Sequence, residues 1–184
     1  VQGYTYDVEK AKQLMADAGY ADGFDIECSV SPGLLNSTDV VQAIASQLAQ
    51  IGITVNINKV STDEHTAYQF GEKLDANGLR DYDMIMAGWE ADYPDPSGNL
   101  TPLYQGGNSA NAAAYQNDEV DKLIADQAKS SDPTQRNDDM FQAFDIITQD
   151  VPYVFLYYPV KNIAMNKAYT GVTMNASWIW NIHF

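Results

Sequence analysis

The densest set of chemically able side chains lies in Gly88-Trp89-Glu90-Ala91-Asp92-Tyr93-Pro94-Asp95-Pro96, where three carboxylates and two large aromatic rings fall within nine residues. A carboxylate at Asp92 can accept hydrogen bonds from a ligand ammonium, while Trp89 and Tyr93 offer flat apolar walls and cation–π contact. The same side chains have plainer uses. Asp among prolines is ordinary turn chemistry, so Asp92 would cap a turn, and Trp89 would fill a core. A pair drawn from Glu90, Asp92 and Asp95 could serve glycoside hydrolysis, which needs two carboxyls roughly 5 to 9.5 Å apart across a cleft. Acids crowded into one short segment do not by themselves make that geometry. The sequence also holds no nucleophile elbow, zinc-protease helix or phosphate-binding glycine loop. The expectation is a binding protein, not an enzyme, with no cofactor. His65, in a helical segment, and His183, near the end, read as surface residues, and two His with one Cys argue against a directly ligated metal.

These residues need a scaffold, and the hydrophobic pattern supplies one. Asp7 caps a helix with Ala11, Leu14, Met15 and Ala18 on one face and Gly19 as its left-handed stop. Phe24 to Val30 alternates apolar and polar as a half-buried strand, with Cys28 facing the core, and Pro32-Gly33 ends it. Ser37 or Thr38 opens a second helix with the stripe Val40, Val41, Ile44, Leu48, Ile51, closed by Gly52, and Ile53, Val55 and Ile57 alternate as the next strand. Strand, helix, strand with short loops is a βαβ unit, whose strands are parallel. A helix over about Thr62–Leu74 then leads to Tyr82–Trp89, apolar on both faces apart from Asp83 and so expected as a central, doubly covered strand. Residues 90–117 read as a polar, Pro- and Gly-rich loop. Asn117 or Asp118 starts a helix through Val120, Leu123, Ile124 and Ala128, and Asp132-Pro133 opens another through Met140, Phe144 and Ile147. Strands at Tyr153–Tyr158 and Asn162–Asn166 and a short aromatic tail, Trp178–Phe184, complete the reading. The fold class is α/β, an open sheet with a parallel centre flanked by helices. The candidate loop leaves the carboxyl end of a strand, where such sheets place ligand crevices.

Composition narrows the function. The 184 residues are 45% hydrophobic and 19% charged, with 12 tyrosines, enough to bury roughly 70% of the unfolded surface. Ten Lys and Arg against 25 Asp and Glu give a formal charge of −15, which repels nucleic acid and anionic membrane and leaves cationic or zwitterionic ligands open. Cys28, as the single cysteine, permits no internal disulfide. The most apolar run, Val151 to Val160, is broken by Pro152 and falls far short of the ~20 residues of a membrane span. The chain starts without methionine, and a piece of a longer protein is expected.

Taken in order, several segments resemble the C-terminal part of the family 5 solute-binding proteins, the oligopeptide, dipeptide and nickel receptors of bacterial ABC importers. They are Tyr6-Asp7-Val8-Glu9-Lys10-Ala11-Lys12-Gln13-Leu14 with Ala18-Gly19-Tyr20, Gln47-Leu48-Ala49-Gln50-Ile51-Gly52-Ile53, and Tyr82-Asp83 leading to Gly88 through Pro96. Asn117-Asp118-Glu119-Val120-Asp121-Lys122-Leu123 and Asp150-Val151-Pro152 with Leu156-Tyr157-Tyr158 follow. The resemblance implies a periplasmic-binding-protein-like fold of two lobes closing over a ligand, with residues 1–184 as the C-terminal lobe, the N-terminal lobe absent, and the tail after about 169 turned toward that other lobe. It implies a substrate-binding component that captures peptides for permease subunits, outside the cytoplasmic membrane, periplasmic or lipid-anchored. A carbohydrate or a nickel complex is the alternative ligand. It also implies that Asp92 holds the ligand α-amino group, with the peptide running beside Trp89, Glu90, Ala91 and Tyr93.

Overall fold

The computed structural model describes residues 3–34, 37–160, 164–167, 173–174 and 180–181. Elements are set by local chemistry at their ends. Helix α1 (Val8–Asp17) starts where the Asp7 carboxylate accepts the Lys10 amide and stops at Gly19, φ +87°, a conformation only glycine adopts freely. Its stripe finds little to cover it: Leu14 is 58% exposed. Strand β1 (Phe24–Val30), helix α2 (Ser37–Leu48) and strand β2 (Ile53–Lys59) form the expected βαβ unit, with β1 and β2 parallel from Phe24↔Ile53 to Val30↔Lys59. At the base of this pair Gly23 and Gly52 approach so closely that a Cβ on Gly23 would stand 1.9 Å from the Gly52 carbonyl oxygen. Cys28 is buried against Val30, Val41 and Met86, as its strand position requires, and burial pushes its thiol up to about 11.

The next elements depart from the sequence pattern. Helix α3 runs only over Thr62–Gln69, because Gly71, φ +72°, turns the chain out of the helix and leaves Leu74 in a bridge with Arg80. His65 is buried, not on the surface, and its Nε2 lies 2.9 Å from the Met86 carbonyl oxygen. Of Tyr82–Trp89, only Met84–Ile85 forms a strand, β3, parallel to β1. The order is β2-β1-β3, so among the described residues β1 is central and β3 is an edge. A strand extends only as far as a partner backbone accompanies it, and β1 ends at Val30.

The segment read as a loop contains helix α4 (Ser97–Tyr104). Helices α5 (Asp118–Lys129) and α6 (Pro133–Asp150) begin at the predicted caps, with Asn117 accepting the Glu119 and Val120 amides and Asp132 accepting that of Thr134. Their stripes meet α4 in a second core around Leu100, Tyr104, Val120, Ile124, Met140 and Ala143. Tyr104 is fully enclosed and meets Tyr153 edge-on at 5.5 Å, a favourable aromatic geometry. Helix α6 ends at Val151, φ 49°, since a residue before proline is excluded from continuing the helix. Residues 153–158, expected as a strand, are irregular, and Phe155 and Tyr158 are 72% and 94% exposed. Residues 164–166 of the other expected strand are also irregular, its first two residues lie outside the described set, and His183 does too. In the tail, Thr173–Met174 (β4) pairs antiparallel with Trp180–Asn181 (β5).

Arg80 joins the two halves. Its Nη1 donates to the Tyr68 and Gln69 carbonyls at 3.1 and 3.3 Å, and its Nη2 to those of Ser109 and Asn111 at 3.3 and 3.0 Å. A cation at the carboxyl end of α3 also complements the helix dipole. A Cβ at position 71 would stand 2.4 Å from Arg80 Nη1 and displace the guanidinium, and the positive φ there also favours glycine.

Candidate functional site

The chain leaves the carboxyl end of β3 along α3, where His65 meets Met86 and Gln69 Nε2 donates to the Gly88 carbonyl at 3.2 Å. It then enters the Trp89–Pro96 loop and α4. Pro102 sits inside α4 and has no N–H for the Gly98 carbonyl, the acceptor four residues back. The half-buried Trp89 indole serves that carbonyl instead, its Nε1 donating to Gly98 O at 3.0 Å. One hydrogen bond therefore ties the start of the loop to α4 and completes a helix that the sequence alone hides. Gly98 is fixed by the same packing, since a Cβ there would lie 2.9 Å from that of Ala91.

The three acids of the segment have different fates. Asp95 accepts the Ser97 amide at 2.9 Å and the Ser97 hydroxyl at 2.6 Å, and thus braces the turn that leads into α4. It also takes both prongs of the Arg136 guanidinium, at 3.0 and 2.7 Å. Arg136 first, and Ser97 after it, holds the Asp95 carboxyl well below the usual carboxylate range. With the folded-state value depressed, its stabilising effect is present at neutral pH and is lost only as pH falls through that low value. A glycosidase acid needs the opposite shift, and a nucleophile or base needs a free oxygen, whereas both Asp95 oxygens are engaged by Ser97 and Arg136, so Asp95 does not fit the carboxylate-pair reading. Asp92 and Glu90, by contrast, are exposed, and among the described residues neither side chain accepts a hydrogen bond. Tyr93 is 49% exposed and its hydroxyl lies 3.2 Å from Ser97 Oγ. A shallow cleft of about 360 Å³ is lined by Tyr93, by Ser97 and Thr101 of α4, and by Gln127, Ser130 and Arg136. Sequence reasoning missed Arg136, an ordinary helix-surface charge by position.

Comparison with known proteins now decides the family. Residues 1–111 match the family model described as bacterial extracellular solute-binding proteins, family 5 Middle. The chain belongs to this family. As a family 5 protein it stands among binding proteins, not enzymes. It is 32% identical over 174 residues to the glutathione-binding protein GsiB of Salmonella paratyphi A, covering 92% of this chain and 33% of that one. It is 30% identical over 172 residues to GsiB of Escherichia coli K12, covering 91% and 33%. The chain thus spans about a third of the length of the curated relatives it matches. Among solved structures, it is similar to the ABC transporter-associated periplasmic binding protein DppA from Helicobacter pylori in complex with peptide STSA, with TM-score 0.72, 29% identity, and 84% of this chain and 29% of that one covered. The likeness bears out the binding-protein fold with its small parallel sheet. Among the described residues no helix is long and apolar enough to cross a membrane.

Proposed function

We propose that residues 1–184 form the C-terminal lobe of a two-lobed receptor that captures short peptides outside the cytoplasmic membrane and delivers them to the permease subunits of an ABC importer. Asp92 accepts the ligand's α-ammonium, Tyr93 and the half-buried Trp89 flank it, and the peptide backbone runs beside Glu90 and Ala91. One observation carries this reading: Asp92 is exposed and accepts no hydrogen bond among the described residues, while Asp95, three positions on, braces the turn through Ser97. A carboxylate left uncommitted on a braced loop suits a charged ligand group. The relatives named for glutathione and crystallised with peptide STSA support the ligand class, since both compounds have a free α-amino group. The uncovered apolar run, with Val154, Phe155 and Tyr158 each more than two-thirds exposed, supports a further lobe against which it packs.

Thermal denaturation of the full-length protein tests the ligand class. Glutathione or Ser-Thr-Ser-Ala at 100 times its dissociation constant should add about 2.7 kcal/mol of stability. The N-acetyl forms at the same concentrations should add little. Equal shifts from free and acetylated forms would contradict the assignment, and a shift produced by an oligosaccharide alone would transfer the receptor to the carbohydrate class.

A further inference from the structure

We propose that Arg136 is a positioning residue for the ligand loop, holding Asp92 in its presenting conformation through the Asp95 carboxylate. This rests on the assignment of Asp92 as the ammonium acceptor. The two-pronged pair between Arg136 and Asp95 spans 41 positions in the sequence. Two parallel hydrogen bonds fix an angle as well as a distance. Through Ser97, the same carboxylate is bound to the first turn of α4, so a single anion joins the loop, α4 and α6.

Two features mark this as more than a surface ion pair. Arg136 lies near the amino end of α6, where the helix dipole disfavours a cation, so its placement does not serve α6 itself. The pair is also two-pronged and partly shielded, with side-chain exposures of 29% for Arg136 and 32% for Asp95, which spares it part of the solvent screening that weakens surface pairs. The loop is held at its start by Trp89 on Gly98 and at its end by Asp95 on Arg136. Asp92 stands between these two tethers.

The test uses the full-length protein and the variants Arg136→Gln and Arg136→Lys, the latter keeping the charge but losing the planar fork. Amide hydrogen exchange over residues 92–98 should accelerate by about tenfold or more in Arg136→Gln, with β1 and α2 unchanged. Calorimetry should show glutathione and Ser-Thr-Ser-Ala binding about tenfold more weakly, and their N-acetyl forms nearly as before. Arg136→Lys should fall between wild type and Arg136→Gln on both measures. Unchanged exchange would overturn the tether. Faster exchange with equal losses for free and acetylated ligands would reduce Arg136 to a fold-stabilising role and overturn the positioning. Asp92→Asn, run alongside, separates the two ideas. If it leaves the preference for the free amine intact, the ammonium assignment has failed and the positioning of Asp92 falls with it, whereas the exchange data judge the tether independently.

Discussion

Asp92→Asn in the full-length protein should weaken binding of glutathione and Ser-Thr-Ser-Ala by about 10²–10³-fold, with almost no further loss for the N-acetyl forms. An ammonium enclosed between two lobes loses its water, and a charged acceptor must offset that cost. Removing one member of a buried pair costs on the order of 3–5 kcal/mol, because the other charge is left uncompensated. Asparagine keeps the size and one carbonyl acceptor but contributes no charge. An acetylated ligand brings no cation, so it should bind the wild type weakly and be nearly indifferent to the substitution. Asp92 has no structural commitment that would confuse the result, since among the described residues its carboxylate accepts no hydrogen bond. Isothermal calorimetry on both proteins and both ligand forms reads the effect. Equal losses would mean that Asp92 supports the loop, not the ligand.

Arg80→Ala should lower the thermal midpoint by roughly 8 °C, corresponding to about 3 kcal/mol for a domain of this size. Its guanidinium serves four carbonyls, two at the end of α3 and two in the segment before α5. Hydrogen bonds to a charged group are worth about 1.5–3 kcal/mol each, and their loss is partly relieved where water can reach the freed oxygens. Arg80→Lys, a single point donor on a flexible stem, should recover less than half of the loss. Calorimetric melting of the three proteins checks this. A change below about 2 °C for Arg80→Ala would mean that other contacts join the sheet half to the helical half.

The elements legible in the sequence are those governed by neighbours along the chain. Asp7, Asn117 and Asp132 cap their helices because a side-chain oxygen reaches amides two or three residues on, and the strand–helix–strand order from Phe24 to Lys59 makes β1 and β2 a parallel pair. Features depending on distant partners were hidden. Helix α4 looked like a loop because Pro102 and Gly98 disfavour a helix, and the compensating donor is Trp89. His65 looked superficial because nothing local announces the Met86 carbonyl that it meets 21 residues away. Tyr82–Trp89 and Tyr153–Tyr158 have strand composition, yet a strand needs a second backbone. Among the described residues β3 has one neighbour and stays two residues long, and residues 153–158 are irregular. Within the candidate site, residue type placed Asp92 and Asp95 in the same turn-forming class. Only the Ser97 and Arg136 contacts distinguish the acid that braces the loop from the one that remains available.

A crystal structure of the full-length protein with Ser-Thr-Ser-Ala or glutathione bound bears on the ammonium assignment without any substitution. An Asp92 carboxylate oxygen should lie about 2.7–2.9 Å from the ligand's α-amino nitrogen, within charge-assisted hydrogen-bond range, with the Asp95–Arg136 pair intact behind it. An α-amino nitrogen paired with another acceptor, while Asp92 faces solvent, would contradict the assignment.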